Sequence, residues 1–212
     1  LFNVNLRGKV KKITDESYNV VSFSISKDNK IAVVMRDDKQ DVYWNNLYIF
    51  ENGKMKKIEL DGLFSNPRLS PDGEKLAVVY SDHKKSFFQH HKIYIYNLQD
   101  DSFKCITDDI DRDIGNSINS DSRFGSGKLF DWVEERLYFT ITDGGISRIF
   151  YHDEKGNFEF FSNNESIECF SIMEKGFAYI SQSATRPTEL FLYKGKIKRL
   201  TKFNKYFESL PE

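Results

Sequence analysis

Hydrophobic and polar residues alternate along short segments of this chain, and the segments come in pairs. The clearest pair is PRLSPDGEKLAVVY, residues Pro67 to Tyr80, in which Ser70-Pro71-Asp72-Gly73 separates two alternating runs. Proline presets φ at the second position of such a turn and glycine tolerates the geometry at its exit, so the flanking runs fold back on each other. The pattern therefore predicts a β-hairpin.

This hairpin pattern recurs, and a second pattern separates its copies. The other copies are FSISKDNKIAVVM (Phe23 to Met35), KLFDWVEERLYFT (Lys128 to Thr140) and FSIMEKGFAYIS (Phe170 to Ser181). The second pattern is an aromatic and aliphatic strand, a short polar turn, and a strand that is basic in most copies and in most cases ends near a threonine. Its five copies end at Thr14, Glu59, Thr107, Ser162 and Thr201, at spacings of 39 to 55 residues.

Joined in order, the two patterns predict units of four antiparallel strands. Their spacing is close to the roughly 40 to 50 residues of one propeller blade. We therefore expect an all-β fold, a partial or open β-propeller with an outer half-blade and four complete four-stranded blades. The half-blade covers residues 1–14, and the blades cover 20–59, 65–107, 124–162 and 167–201. The absence of an initial methionine and the start within an alternating run indicate a piece of a longer protein.

Long connections are expected at one end of the blades and short turns at the other. The long ones are Arg36 to Asn46, Ser81 to His91 and Asp108 to Gly127. Loops carry binding and catalytic residues more often than the strands that support them. The sequence therefore points to this end of the blades as the place for function.

The composition of the chain argues against some classes of binding partner and favours one cellular compartment. The formal net charge is −1 over 212 residues, which argues against a strongly basic nucleic-acid binder. No apolar run approaches the roughly 20 residues that span a bilayer, so no membrane association is expected. Cys105 and Cys169 form no paired framework, which favours a reducing, cytoplasmic setting, although the sequence leaves a disulfide between them open.

Candidate sites are few. Gln89-His90-His91, with His83 nearby, lacks a third ligand at fixed spacing, so no metal or other cofactor is expected. The acidic run from Asp108 to Asp113 lacks the glycine and glutamate of a calcium-binding loop and is interpreted as a solvated loop, with recognition of the positive end of a peptide left open. Arg186 precedes Pro187 in a loop; a salt bridge that fixes the loop is favoured, and a substrate or interdomain contact is the alternative.

Two of these segments resemble a known family. SPDGEKLAVV is similar to the WD-like repeats of translocation-type propellers and of the propeller domains in prolyl oligopeptidase family serine peptidases. SATRPTELFLYKGKIKRLT, from Ser183 to Thr201, followed by Lys202-Phe203-Asn204, resembles the last blade of acylaminoacyl-peptidase-like members. That blade has a Pro-x-Glu-Leu strand and a closing Leu-Thr-x-x-Asn, and residues 202–212 would then be a linker towards a catalytic domain absent from this chain.

The resemblance implies a seven-bladed propeller that restricts the access of peptides to a separate α/β-hydrolase domain with a Ser-Asp-His triad. No G-x-S-x-G motif occurs, because Gly125-Ser126-Gly127 and Gly145-Ile146-Ser147 lack the spacing of a nucleophile elbow. No catalytic residue is therefore placed, and the chain is interpreted as a non-catalytic part of a peptidase. The alternative is a stand-alone propeller for protein–protein interaction. Four and a half blades leave open blade faces, through which the chain is expected to self-associate.

Overall fold

The computed structural model describes residues 1–37, 39, 43–84, 89–120 and 128–209. Parts of the three long connections lie outside these ranges, as do Gly125-Ser126-Gly127 and the last three residues of the expected linker.

The described ranges contain 18 strands and one turn of 3-10 helix, Phe207–Ser209. The strands are β1 Phe2–Val4, β2 Val10–Lys12, β3 Tyr18–Ile25, β4 Ile31–Asp37, β5 Asn46–Glu51, β6 Lys54–Lys57, β7 Leu63–Leu69, β8 Lys75–Ser81, β9 Lys92–Asn97, β10 Phe103–Cys105, β11 Phe130–Val133, β12 Arg136–Asp143, β13 Ile146–Asp153, β14 Gly156–Phe161, β15 Ser166–Met173, β16 Gly176–Gln182, β17 Glu189–Tyr193 and β18 Ile197–Arg199.

The strands form one two-stranded sheet and four four-stranded sheets. β1 pairs with β2, and the four larger sheets each take four consecutive strands in chain order: β3 to β6, β7 to β10, β11 to β14 and β15 to β18. We call these four sheets blades 1 to 4, and we call the strands of each blade inner, second, third and outer. The all-β propeller fold predicted from the repeats is confirmed.

The turn between the first two strands of a blade follows directly from the sequence. In blade 2 the Ser70 hydroxyl accepts the Lys75 amide proton at 2.9 Å and donates to Asp72 Oδ1 at 2.5 Å, and the Gly73 amide donates to the Ser70 carbonyl at 2.9 Å. Blade 1 has the same kind of hydrogen-bonded turn, although its turn contains neither proline nor glycine. The Lys30 amide donates to Ser26 Oγ at 3.1 Å, and Asn29 adopts the left-handed φ of 65° that glycine takes in blade 2.

The chain divides into two compact units. One comprises residues 1–89 and 94–104, and the other comprises residues 90–93 and 105–212. The second strand of blade 1 is buried on both faces, since consecutive side chains point to opposite faces and Ile31 to Met35 are all buried. The first unit has a core around Leu47, Phe64 and Leu76, and the second has an aromatic core around Tyr138, Phe177 and Tyr179. Each large side chain buried in this way contributes about 1.5–3 kcal/mol of hydrophobic stabilisation.

Inner strands carry β-bulges that the sequence did not indicate. The register shifts between Val20 and Ser22 in β3, between Ser65 and Arg68 in β7, and between Ile167 and Cys169 in β15. A bulge inserts extra backbone and re-aims the side chain of the inserted residue. In β15 the inserted residue is Glu168.

Blade 3 has an inner strand in two pieces. β11 pairs only with residues 136–139 of β12, which leaves the inner edge of β12 open from Thr140 onward. Residues 113–117 occupy that edge: Gly115 donates to the Thr140 carbonyl at 2.8 Å, Thr142 donates to the Asp113 carbonyl at 3.2 Å, and Ile114 bridges Ile141. The long connection from Asp108 to Gly127 therefore includes residues that pair with β12, because a short β11 leaves backbone groups that need partners.

Two smaller findings complete the fold. Within the described ranges, no helix has the length and apolar character needed to cross a membrane. No disulfide joins Cys105 and Cys169, and burial together with the nearby Glu168 raises the pKa of Cys169.

Candidate functional site

The sequence placed function at the end of the blades that carries the long connections. In the second unit, three hydrogen-bonded groups lie at this end of the blades. They are built from the connections 113–120, 162–165 and 183–188, and from the segment that follows β18.

The first group joins the two halves of the family motif. Glu189 opens β17, and its side chain is completely buried. Glu189 Oε1 accepts the Asn204 amide proton at 2.9 Å and pairs with Arg199 Nη2 at 3.0 Å, while Oε2 accepts the Thr201 hydroxyl proton. Asn204 Nδ2 also donates to the Thr188 carbonyl at 2.9 Å. We call Glu189, Arg199, Thr201 and Asn204 the Glu189 network.

This network fixes the charge of Glu189 and the path of the chain after the last strand. Burial alone would raise the pKa of Glu189, but the hydrogen bonds from Thr201, from the Asn204 amide and from Arg199 outweigh burial and lower the pKa to about 2. Glu189 is therefore a carboxylate near neutral pH. Its two oxygens tie residues 201–204 to the start of β17, so the Pro-x-Glu-Leu and Leu-Thr-x-x-Asn sequences act as one structural unit.

The second group surrounds Arg186, the predicted contact residue, and we call it the Arg186 cluster. Arg186 Nη2 lies 2.6 Å from Glu165 Oε1, so the two side chains form an ion pair. The guanidinium carbon lies 4.6 Å from the centre of the Phe191 ring. Glu165 Oε2 accepts protons from Ser181 at 2.6 Å and from Asn163 at 3.0 Å.

Arg186 thus links the connection before blade 4 to a loop within it. Only 12% of its side chain is exposed, and its Nη1 atom is buried and has no hydrogen-bond partner among the residues that the structure describes. The contact with Glu165 is a salt bridge that fixes the loop, the arrangement favoured from the sequence. A substrate or interdomain contact through Nη1 stays a prediction.

The third group is organised by the bulge at Glu168. Glu168 Oε1 accepts protons from Asn116 and from Gln182, both at 2.8 Å. Ser120 donates to Gln182 Oε1 at 2.9 Å, and Asn116 also donates to Ser166 at 3.0 Å. The bulge thereby fastens residues 116–120 to blade 4.

The first unit has a separate hollow at the corresponding end of its blades. Its volume is about 270 Å³, and its lining includes Trp44, Asn46 and Asp61. The Trp44 ring meets the His83 ring edge to face at 6.1 Å. Asn45, also in the lining, is held in place because its side-chain amide donates to the Phe64 carbonyl at 2.9 Å and accepts the Phe64 amide proton at 2.7 Å.

His90 and the acidic run lie close together in the second unit. His90 Nδ1 lies 3.0 Å from Asp113 Oδ1, and Nε2 lies 3.8 Å from Asp111. Arg112 donates to Asp143 at 2.6 Å, so the run is tied to β12 at a second point. Among the residues that the structure describes, no three potential ligands come together as a metal site would require.

Some residues of these groups could not be identified from the sequence. Arg199 looked like one more basic residue of an outer strand, and Asp131, outside these groups, had no role beyond its place in the hairpin from Lys128 to Thr140. Asp131 is in fact buried, pairing with Lys128 at 2.7 Å and accepting the Ile172 amide proton at 2.8 Å. The one available signal for Arg199 was its position two residues before the motif threonine.

These groups join carboxylates to guanidinium, amide and hydroxyl groups. Such contacts position loops and present backbone and polar atoms for recognition. The Glu189 network has the further effect of orienting whatever follows residue 204.

Comparison with known proteins supports the fold and the resemblance. No protein-family model matches the chain, and no curated protein sequence matches it. The acylaminoacyl peptidase of Pyrococcus horikoshii matches with 25% identity and a TM-score of 0.66, over 93% of this chain and 29% of the peptidase. The β-propeller domain of the trilobed protease from Pyrococcus furiosus matches with 23% identity and a TM-score of 0.66, over 93% of this chain and 59% of that structure.

A third similar structure is TolB from Acinetobacter baumannii, with 18% identity and a TM-score of 0.62, over 92% of this chain and 47% of that one. The likenesses below 25% identity bear on the fold alone. The chain spans less than two thirds of the length of each of these three structures. Its structural neighbours are therefore propeller-containing peptidases and related propellers.

Proposed function

We propose that this chain is a non-catalytic propeller segment of an acylaminoacyl-peptidase-like serine peptidase, in which the propeller controls the access of peptides to a separate α/β-hydrolase domain. The observation that carries the proposal is the Glu189 network. The residues that resemble the last blade of such peptidases, Glu189, Thr201 and Asn204, are in direct contact in the structure. The 25% identity with the Pyrococcus horikoshii enzyme supports the same assignment.

The physical role of the segment in such a peptidase would be exclusion by size. A propeller admits short or unfolded peptides to a covered active site and keeps folded proteins out, and the chemistry is acyl transfer to an activated serine in the hydrolase domain. The Glu189 network would set the direction in which the chain leaves blade 4 towards that domain. Peptide substrate and hydrolase domain are the partners that this proposal requires.

The test uses the protein encoded by the complete reading frame that contains this chain. It should contain a hydrolase domain with G-x-S-x-G. It should cleave N-acetyl-amino-acid anilides and short peptides, whereas a folded protein that contains the same cleavable sequence should resist cleavage. Glu189→Gln should raise the rate on long peptides relative to short ones, because the hydrolase domain is held less firmly. Glu174→Gln, at an exposed turn at the opposite end of blade 4, is the matched control.

A reading frame without such a hydrolase domain would overturn this proposal and favour the second candidate, a propeller that binds a protein partner. The observation in its favour is the hollow beside Trp44, since tryptophan is enriched at the centres of protein interfaces. Trp44→Ala should then weaken binding of the partner at least about tenfold. Equal binding by the variant would count against that candidate.

A further inference from the structure

The outer strands of the blades differ in how they are protected against pairing with another strand. Three of the four outer strands are three or four residues long and contain lysine, and so does β2 of the two-stranded sheet: KMKK in β6, FKC in β10, IKR in β18 and VKK in β2. Short length and lysine are two features by which natural sheets prevent edge-to-edge association.

β14, the outer strand of blade 3, has neither feature. It is six residues long, reads GNFEFF and contains no lysine or arginine. Phe158 is 40% exposed and Phe160 is 39% exposed. An edge strand that is long and apolar and carries no basic residue offers unpaired backbone groups to any strand that approaches it.

The phenylalanine side chains of β14 pack against aromatic residues of the neighbouring strands. The Phe158 ring stacks on Tyr151 with centres 5.4 Å apart, and the Arg136 guanidinium lies 4.9 Å from the same tyrosine ring. Phe160 meets Tyr138 edge to face at 5.0 Å. The bulge between Ile149 and Phe150 displaces the ladder at Phe160, and the stretch from Gly156 to Glu159 remains in regular register with β13.

Charge decides which partner fits this edge. The charged residue of β14, Glu159, lies 3.3 Å from Arg148 Nη1 on β13, so the edge offers little net charge to an acidic or a basic peptide. Two copies of β6 would bring six lysines together, whereas two copies of β14 bring two neutralised glutamates. Among the outer strands that the structure describes, β14 is the one that can meet its own copy without repulsion between cations.

We propose that β14 is a homodimer interface, in which it pairs antiparallel with β14 of a second copy of the chain around a two-fold axis. The two blades then form one continuous eight-stranded sheet, and the half-exposed phenylalanines of both copies lie along one rim. A two-fold contact of this kind is self-complementary and closes after two copies. The proposal is independent of any peptidase role.

The test is the association state of the whole chain and of two variants. Sedimentation velocity over a hundredfold concentration range should show a monomer–dimer equilibrium. Phe158→Lys, which gives β14 the residue that protects the other outer strands, should weaken dimerisation by about tenfold or more. Met55→Lys in β6 is the matched control, since Met55 is 48% exposed and lies between lysines; it should leave the dimer unchanged.

A measurement on the unmodified chain covers the case in which Phe158→Lys does not fold. Hydrogen exchange of the amides from Gly156 to Phe161 should slow as the concentration rises, while exchange in β6 stays constant. A chain that remains monomeric, exchange in β14 that does not respond to concentration, or a dimer lost in Met55→Lys and kept in Phe158→Lys would each overturn the proposal.

Discussion

A threonine at the end of an outer strand closes the blade by a hydrogen bond to the third strand. Thr107 Oγ1 accepts the Ile93 amide proton at 2.9 Å, and Thr201 Oγ1 accepts the Leu190 amide proton at 2.9 Å. The threonines that recur in the outer-strand pattern therefore have a physical reason. The amide of the second residue in each of these third strands finds its acceptor in a side chain.

Thr107→Val should destabilise the chain by about 1–3 kcal/mol, because valine keeps the volume and leaves the buried Ile93 amide without an acceptor. Thr107 is fully buried, so water cannot substitute for the lost hydroxyl. Chemical denaturation measures the change. Thr188→Val is the control and should change the free energy of unfolding by less than about 0.5 kcal/mol; equal effects of both substitutions would contradict the role given to Thr107.

Glu189 should make stability depend on acid pH. Its pKa in the folded chain is about 2, below the usual 4.5, so its contribution is fully present above pH 4.5 and is lost as the pH falls towards 2. Thermal unfolding between pH 7 and pH 2.5 should show this loss. In Glu189→Gln the melting temperature should be lower at pH 7, by the equivalent of about 1–3 kcal/mol, and this part of the pH dependence should be absent; an unchanged pH profile would refute the assignment.

Among the elements, the hairpin of β15 and β16 depends on a single glycine. Gly176 has φ of 114°, and a Cβ atom at this position would lie 2.0 Å from the Tyr193 carbonyl oxygen. Gly195, in the next hairpin of the same blade, has φ of 74° and open space around it. Alanine substitutions at the two glycines therefore distinguish the cost of backbone strain from the cost of steric overlap.

Gly176→Ala should cost about 3 kcal/mol or more, since strain and overlap add, whereas Gly195→Ala should cost about 1 kcal/mol from strain alone. Denaturant midpoints of the two variants provide the comparison. Similar costs for both would show that blade 4 relaxes around the Tyr193 carbonyl.

The elements show what sequence patterns can and cannot predict here. Alternation with period two and the turn residues Ser70 to Gly73 are local, so the hairpins and their repetition were predictable. The bulge at Glu168 depends on counting residues against the partner strand, and the pairing of residues 113–117 with β12 depends on how short β11 is. The contact of Asn116 with Glu168 joins positions 52 residues apart, and no local pattern encodes it.

On the scale of the whole molecule, the apolar face of blade 1 is the second surface through which association is expected. Phe23 and Ile25 on β3 are 50% and 55% exposed. Self-association through open blade faces, expected from the sequence, stays a prediction beside the pairing proposed for β14. Association that remains in the Phe158→Lys chain is measured by light scattering. Adding the double substitution Phe23→Ser/Ile25→Ser to that chain should reduce it. Unchanged scattering would remove the face from consideration.

The side chain of Asn45 joins blade 1 to blade 2. Its amide replaces a strand partner for Phe64, donating to one backbone atom and accepting from another. Hydrolysis of that amide to a carboxylate would keep the acceptor and turn the donor into an oxygen facing the Phe64 carbonyl, so a hydrogen bond would become a repulsion. Deamidation of this one buried residue would thus loosen the joint between blades 1 and 2 without any change in the gene.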